Sequence, residues 1–153
     1  NKKPYLIPKD GKKLDSSSYA SLEDILLNLS KLSVLENINS ITIFLDVKYI
    51  NFEEAIENYK YPKLSKKLCL LASSSSKETS NEIDDMKHSV FSYFLMKGLK
   101  GDAYGDDKIL EIGELAEYLY RKIPDYTKNL ENGVLQNPEF IGSDLKRVLI
   151  DLR

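Results

Sequence analysis

Tryptophan is absent from this sequence, and histidine and cysteine occur once each. No apolar run comes near the roughly 20 residues that a membrane-crossing helix needs. The lone cysteine, Cys69, excludes an internal disulfide and fits a reducing compartment, so the expected location is the cytoplasm. An excess of one charge is missing too: 22 basic residues face 24 acidic ones, for a net charge of -2. No global basic field therefore points to nucleic acid. The absence of tryptophan, beside ten tyrosines, excludes no function. The first residue is Asn1 rather than methionine, so the sequence reads as part of a longer one.

What is present fits one soluble domain spanning residues 1–153, with 42% hydrophobic and 30% charged residues. The organising stretch is Ser40-Ile41-Thr42-Ile43-Phe44-Leu45-Asp46-Val47-Lys48-Tyr49-Ile50-Asn51, and its first part is the strand. An apolar, β-branched run without glycine or proline predicts a strand buried on both faces, as in a parallel sheet. It ends in a carboxylate, followed two residues later by Lys48. Sites in open α/β sheets lie just beyond the carboxyl ends of the strands, so Asp46 and Lys48 are the first place to look for chemistry. The plainer reading makes Asp46 a turn former and Lys48 a solvated lysine.

Around that strand the pattern alternates. Pro4 to Pro8 reads as a short extended segment, followed by a turn at 9–12. Ser21 opens a helix carrying Leu22, Ile25, Leu26, Leu29 and Leu32 on one stripe, with Asp24 at the capping position. Phe52 to Tyr59 is a short acidic helix candidate. Leu68 to Ala72 is a second buried strand, with a polar loop from Ser73 to Glu82 at its carboxyl end. Ser89 to Leu99 is a helix presenting Val90, Phe91, Phe94, Leu95 and Leu99 and ended by Gly98 and Gly101. Ile109 to Ile123 is another, closed by Pro124, and Arg147 to Leu152 is a last strand. This order predicts α/β architecture with a mainly parallel sheet flanked by helices.

Six blocks in order resemble the caspase-like cysteine peptidases, the clan that includes metacaspases. Tyr5-Leu6-Ile7-Pro8-Lys9-Asp10 is similar to the family's YLIPYD segment. Phe44 to Asn51 resembles its nucleophile strand, and Leu71-Ala72-Ser73-Ser74-Ser75 with Ser80-Asn81-Glu82 its serine-rich loop. Lys87 to Gly101 resembles its HGlFTYyLLkGLkG helix, Asp102 to Tyr120 the continuation, and Gln136-Asn137-Pro138 the Q.P near its end. The resemblance implies a caspase-haemoglobinase-like fold, incomplete at the N-terminal side because the family's earlier strands would precede residue 1. It also implies a substrate pocket to which Asp46, Ser73 and Glu82 are the candidate contributors. No metal and no cofactor is expected.

The departures from that pattern bear on activity. The family's chemistry needs a thiolate and a histidine as proton acceptor. The position matching the nucleophile is Lys48, whose ammonium, ordinarily titrating near pH ~10.4, has no lone pair to attack with. The matching catalytic histidine would precede the YLIPYD block. His88 matches a different histidine, read as a cap or loop contact. Cys69 lies inside an apolar run, where thiols are inert. The acidic loop Asp102 to Asp107 fails the calcium-loop spacing and reads as a solvated turn.

The expectation is therefore a catalytically degenerate domain with a binding or regulatory role, Lys48 pairing with Asp46. The alternative is part of an active cysteine endopeptidase whose catalytic residues lie in another segment or chain. Expected partners are a protein or peptide, the upstream half of the domain, or a homologous chain, with neither nucleic acid nor membrane involved.

Overall fold

In the computed structural model the described residues are 5–7, 17, 19–47, 67–75, 78, 81–83, 88–130 and 134–153. Strand β1 (Tyr5–Leu6) pairs antiparallel with β2 (Ala20–Ser21), which leads directly into helix α1 (Leu22–Leu32). Ser21 caps α1 as its position predicts, its hydroxyl accepting from the Asp24 N–H at 3.2 Å. The stripe then divides: Leu22 and Leu26 are buried, while Leu32 at the end of the helix is 45% exposed.

β3 (Ile41–Leu45) and β4 (Leu68–Ala72) run parallel, Ile41 opposite Leu68 and Leu45 opposite Ala72. β4 is the centre of the domain. Each of its five residues is at most 1% exposed, because both faces are covered. Strand alternation sends Leu70 and Ala72, with Ile43 and Leu45 of β3, towards Leu22 and Leu26 of α1. It sends Cys69 and Leu71 to the opposite face, into the main core with Val90, Phe91, Leu115 and Leu119. Those last four come from α2 (Val90–Lys97) and α3 (Ile112–Thr127). The sheet is thus sandwiched between α1 on one side and α2 with α3 on the other.

Two glycines let α2 and α3 fit together. A Cβ on Gly98 would stand 2.6 Å from a terminal methyl of Leu115 and 3.2 Å from the Tyr118 ring, so a side chain there would force the buried Leu115 to shift. The chain then passes through a widened turn, Gly98–Asp102, where Gly101 at φ 135° reverses its course. Gly98 ends the regular part of α2, as its sequence position suggests, and is a packing residue as well.

The expectation of a mainly parallel, caspase-haemoglobinase-like sheet is overturned. β3–β4 is the one parallel pair among the described strands. β8 (Glu139–Ile141) joins β4 antiparallel, making a three-stranded mixed sheet. β5 (Glu82–Ile83) with β6 (His88–Ser89), and β7 (Ile109–Glu111) with β9 (Val148–Asp151), form separate antiparallel pairs.

The helices explain the antiparallel β8. α2 leaves from the carboxyl end of β3, where Ser89 meets Asp46. α3 starts at the other end, where the Ile112 N–H donates to the Arg147 carbonyl at 2.8 Å and Arg147 reaches Ile41. Two consecutive passes along the sheet bring the chain back to the end where β4 stops, so it re-enters in the opposite direction.

Other boundaries also move. Ile109 to Glu111 is strand, and α3 begins at Ile112, where the Glu114 carboxylate accepts from the Glu111 N–H at 2.9 Å. Pro124 lies inside α3, and the helix runs to Thr127 rather than closing at the proline. The last strand pairs with β7 and takes no part in the central sheet. β3 is less buried than its composition suggests, with Phe44 37% exposed, because it stands at an edge of the described sheet. The helix expected over Phe52 to Tyr59 and the turn at 9–12 lie outside the described residues.

The α2–α3 contact carries a titration signature. Tyr118 is 4% exposed, and its hydroxyl donates to Asp102 at 3.3 Å. Burial first, and the neighbouring Asp102 carboxylate second, push its pKa from 10.0 up to about 12. A folded value above the unfolded one means that this group's contribution is complete below pH 10 and is lost as pH rises through 12. An ultraviolet titration of tyrosinate is expected to show a late-ionising tyrosine that disappears in Tyr118→Phe. Ionisation of every tyrosine together, in the range usual for a solvated phenol, would contradict this assignment.

Candidate functional site at the strand ends

The parallel pairing of β3 and β4 puts their carboxyl ends side by side, and the Ser73 N–H donates to the Leu45 carbonyl at 2.9 Å. Ser73 is 1% exposed. Its hydroxyl accepts from the Val47 N–H at 3.2 Å and donates to the Val47 carbonyl at 3.1 Å. One side chain thus grips the chain as it leaves β3, immediately after Asp46. Next to it, Ser74 is 2% exposed, and its hydroxyl has no hydrogen-bond partner among the described residues.

Asp46 is exposed, and its Oδ2 accepts from the hydroxyls of both Ser89 and Ser92. Ser89 has a double role. Its oxygen also accepts from the Ser92 N–H at 2.9 Å, capping α2. The carboxylate therefore stands at the amino end of a helix, where the aligned peptide dipoles favour negative charge.

Behind this surface lies a buried amide network. Gln136 is fully buried; its Nε2 donates to the Ser73 carbonyl at 2.7 Å and its Oε1 accepts from the Asn81 N–H at 2.8 Å. Its own N–H donates to the Thr127 hydroxyl at 3.2 Å. Asn81 reaches the Val134 carbonyl at 2.6 Å, and the Asn137 N–H donates to the Glu78 carboxylate at 2.7 Å. The segment 134–137 is thereby laced to the loop that follows β4.

Of the residues singled out in the sequence, Asp46 and Ser73 meet at this end of the sheet, linked through Val47. Glu82 lies opposite Ser89 in the β5–β6 register, with its side chain outside the described residues. Lys48, and with it the expected Asp46–Lys48 pair, also lies outside them, as do Asp84 and Asp85. His88 is exposed and stands in β6, directly before the capping serine.

Cys69 is 0% exposed on the core side of β4. Its thiol donates to the Thr42 hydroxyl at 3.4 Å, and its sulfur accepts from Arg147 Nη1 at 3.2 Å. Among the described residues no three His, Cys, Asp or Glu side chains gather as a metal ion would require.

Sequence reasoning did not anticipate Ser89 and Ser92 as partners of Asp46, nor the Gln136–Asn81 link. The signal for the first pair was there: a serine opening an apolar helix with another serine three residues on. For the second pair only tertiary contact joins residues 55 positions apart.

The fold and these contacts define a small α/β domain with a carboxylate held by hydroxyls at the strand ends. Compared with models of protein families, with curated proteins and with solved structures, the chain matches none. Among the described residues no helix is long and apolar enough to cross a membrane.

Proposed function

We propose that this chain is a catalytically degenerate peptidase-like domain that works by binding a protein or peptide rather than by cleaving one. The observation that carries the reading is the state of its single thiol. Cysteine chemistry needs a thiolate that a substrate carbonyl can reach, activated by a base within hydrogen-bond distance. Cys69 is sealed in β4 and engaged by Thr42 and Arg147. The single imidazole, His88, is exposed at the head of α2.

The sequence blocks that resemble caspase-like peptidases support the peptidase ancestry, and Lys48 at the matching nucleophile position supports the loss of chemistry. The lone cysteine is consistent with a cytoplasmic setting.

Fluorogenic peptides with basic and with acidic P1 residues, incubated with the full chain, are expected to show no turnover. Iodoacetamide is expected to modify Cys69 only after unfolding. Turnover abolished by the alkylating agent would overturn the reading.

A further inference from the structure

Between α3 and β8 the chain passes through a segment, 134–137, that belongs to no helix or strand. Its contacts are those of a linear peptide on a receptor. Asn81 reads both backbone groups of one residue: its Nδ2 donates to the Val134 carbonyl at 2.6 Å, and its Oδ1 accepts from the Val134 N–H at 3.2 Å. Two residues on, the Gln136 side chain is fully buried, with the Ser73 carbonyl and the Asn81 N–H as its partners. Next to it, the Glu78 carboxylate accepts from the backbone N–H and from the Nδ2 of Asn137. Main-chain hydrogen bonds combined with a pocket for a chosen side chain are a recurring mode of peptide recognition.

Among the described residues, Ser73, Glu78 and Asn81 of the loop after β4 supply these contacts, and the Gln136 N–H alone turns elsewhere, to Thr127. The segment buries little apolar surface, since Val134 is 50% and Leu135 49% exposed. Hydrogen bonds of this kind exchange for bonds to water, or to another peptide, at small net cost. Segments held in that way open at lower free energy than a sealed strand such as β4.

We infer that residues 134–137 are a ligand built into the chain: they occupy the peptide-reading side of Ser73, Glu78 and Asn81, and a linear segment of a partner protein, carrying glutamine followed by asparagine, takes their place. On the peptide-binding reading proposed above, this names the chemistry of the partner and the contact that keeps it out. Glutamine is selected because the pocket offers one acceptor, the Ser73 carbonyl, and one backbone donor, the Asn81 N–H, to a side chain with one group of each kind. Glutamate would set an acceptor against the Ser73 carbonyl, and leucine would leave both groups without a partner. The chain's own segment, tethered at both ends, competes at an effective concentration in the millimolar range.

The probe is the peptide acetyl-Val-Leu-Gln-Asn-Pro-amide, titrated by calorimetry into the full chain and into the double variant Gln136→Ala/Asn137→Ala, with circular dichroism as the check on folding. The variant is expected to bind the peptide, to regain thermal stability and to shift its Asn81 amide resonance. It is expected to bind the same peptide with alanine for glutamine at least ~10-fold more weakly. The unaltered chain is expected to bind the glutamine peptide at least ~10-fold more weakly than the variant does.

A folded variant that ignores the peptide, or accepts the alanine form equally well, overturns the inference. So does equal binding by the variant and the unaltered chain. Hydrogen exchange of the unaltered chain tests the same point with no substitution. The amides of Val134, Gln136 and Asn137 are expected to share one protection, at least ~10-fold below that of the β4 amides. Exchange of these three only together with β4 shows that the segment never leaves its place, and overturns the inference whether or not the variant folds. Turnover of fluorogenic peptides would instead remove the non-catalytic reading and leave the binding and exchange results as they stand.

Discussion

Phe91→Ala is expected to lower the unfolding free energy by about 3–5 kcal/mol. The phenyl ring is 0% exposed and belongs to the cluster that joins Cys69 and Leu71 of the sheet to Leu115 and Leu119 of α3. Removing it withdraws apolar surface from the point where all three elements meet. The hole cannot close, because Gly98 already sets the α2–α3 distance and β4 is covered on its other face by α1. In a domain of this size each kcal/mol shifts the melting temperature by roughly 2–4 °C, so a drop of about 10 °C is expected. Urea unfolding of the purified variant measures it. A loss below about 1 kcal/mol would show that α2 does not cover the sheet as described.

Gln136→Leu carries the second-largest expected loss, about 2–5 kcal/mol, and for a different reason. Leucine fills much the same volume, so the packing term is small. What disappears are the partners of the Ser73 carbonyl and the Asn81 N–H, which Gln136 satisfies at 2.7 Å and 2.8 Å. A buried backbone group left without a partner costs about 1–3 kcal/mol. The consequence reaches the candidate site, because Ser73 also grips Val47 beside Asp46. Ser73→Ala, which deletes only the hydroxyl contacts with Val47, is expected to cost less. Equal stability of Gln136→Leu and the unaltered chain in urea would show that the amide network contributes nothing.

These two residues differ in how legible they are. Phe91 sits on a helical stripe with Val90, Phe94 and Leu95, so its burial follows from spacing alone. Gln136 is a lone polar residue in a stretch without periodicity. Its resemblance to a motif marked the position, but nothing in the neighbouring residues assigned it the Ser73 carbonyl, 63 positions away. The same contrast runs through the site. Asp46 was legible as the carboxylate that ends an apolar strand. Its two serine partners came into view only when α2 was placed against the end of β3.

The sequence by itself determined the local elements: the capped start of α1, the strands β3 and β4, and the apolar faces of α2 and α3. Each is decided by interactions within a few residues, through side-chain period, cap and turn chemistry. It also determined that one thiol exists and that it lies in an apolar run. Only the tertiary structure decided how the strands pair. Strand direction depends on how often the chain crosses the sheet before it returns, and two helical passes made β8 antiparallel where a mainly parallel sheet was expected. It also decided that β3 is a partly exposed edge among the described strands while β4 is sealed on both faces, because burial belongs to the neighbours a strand acquires and not to its own composition.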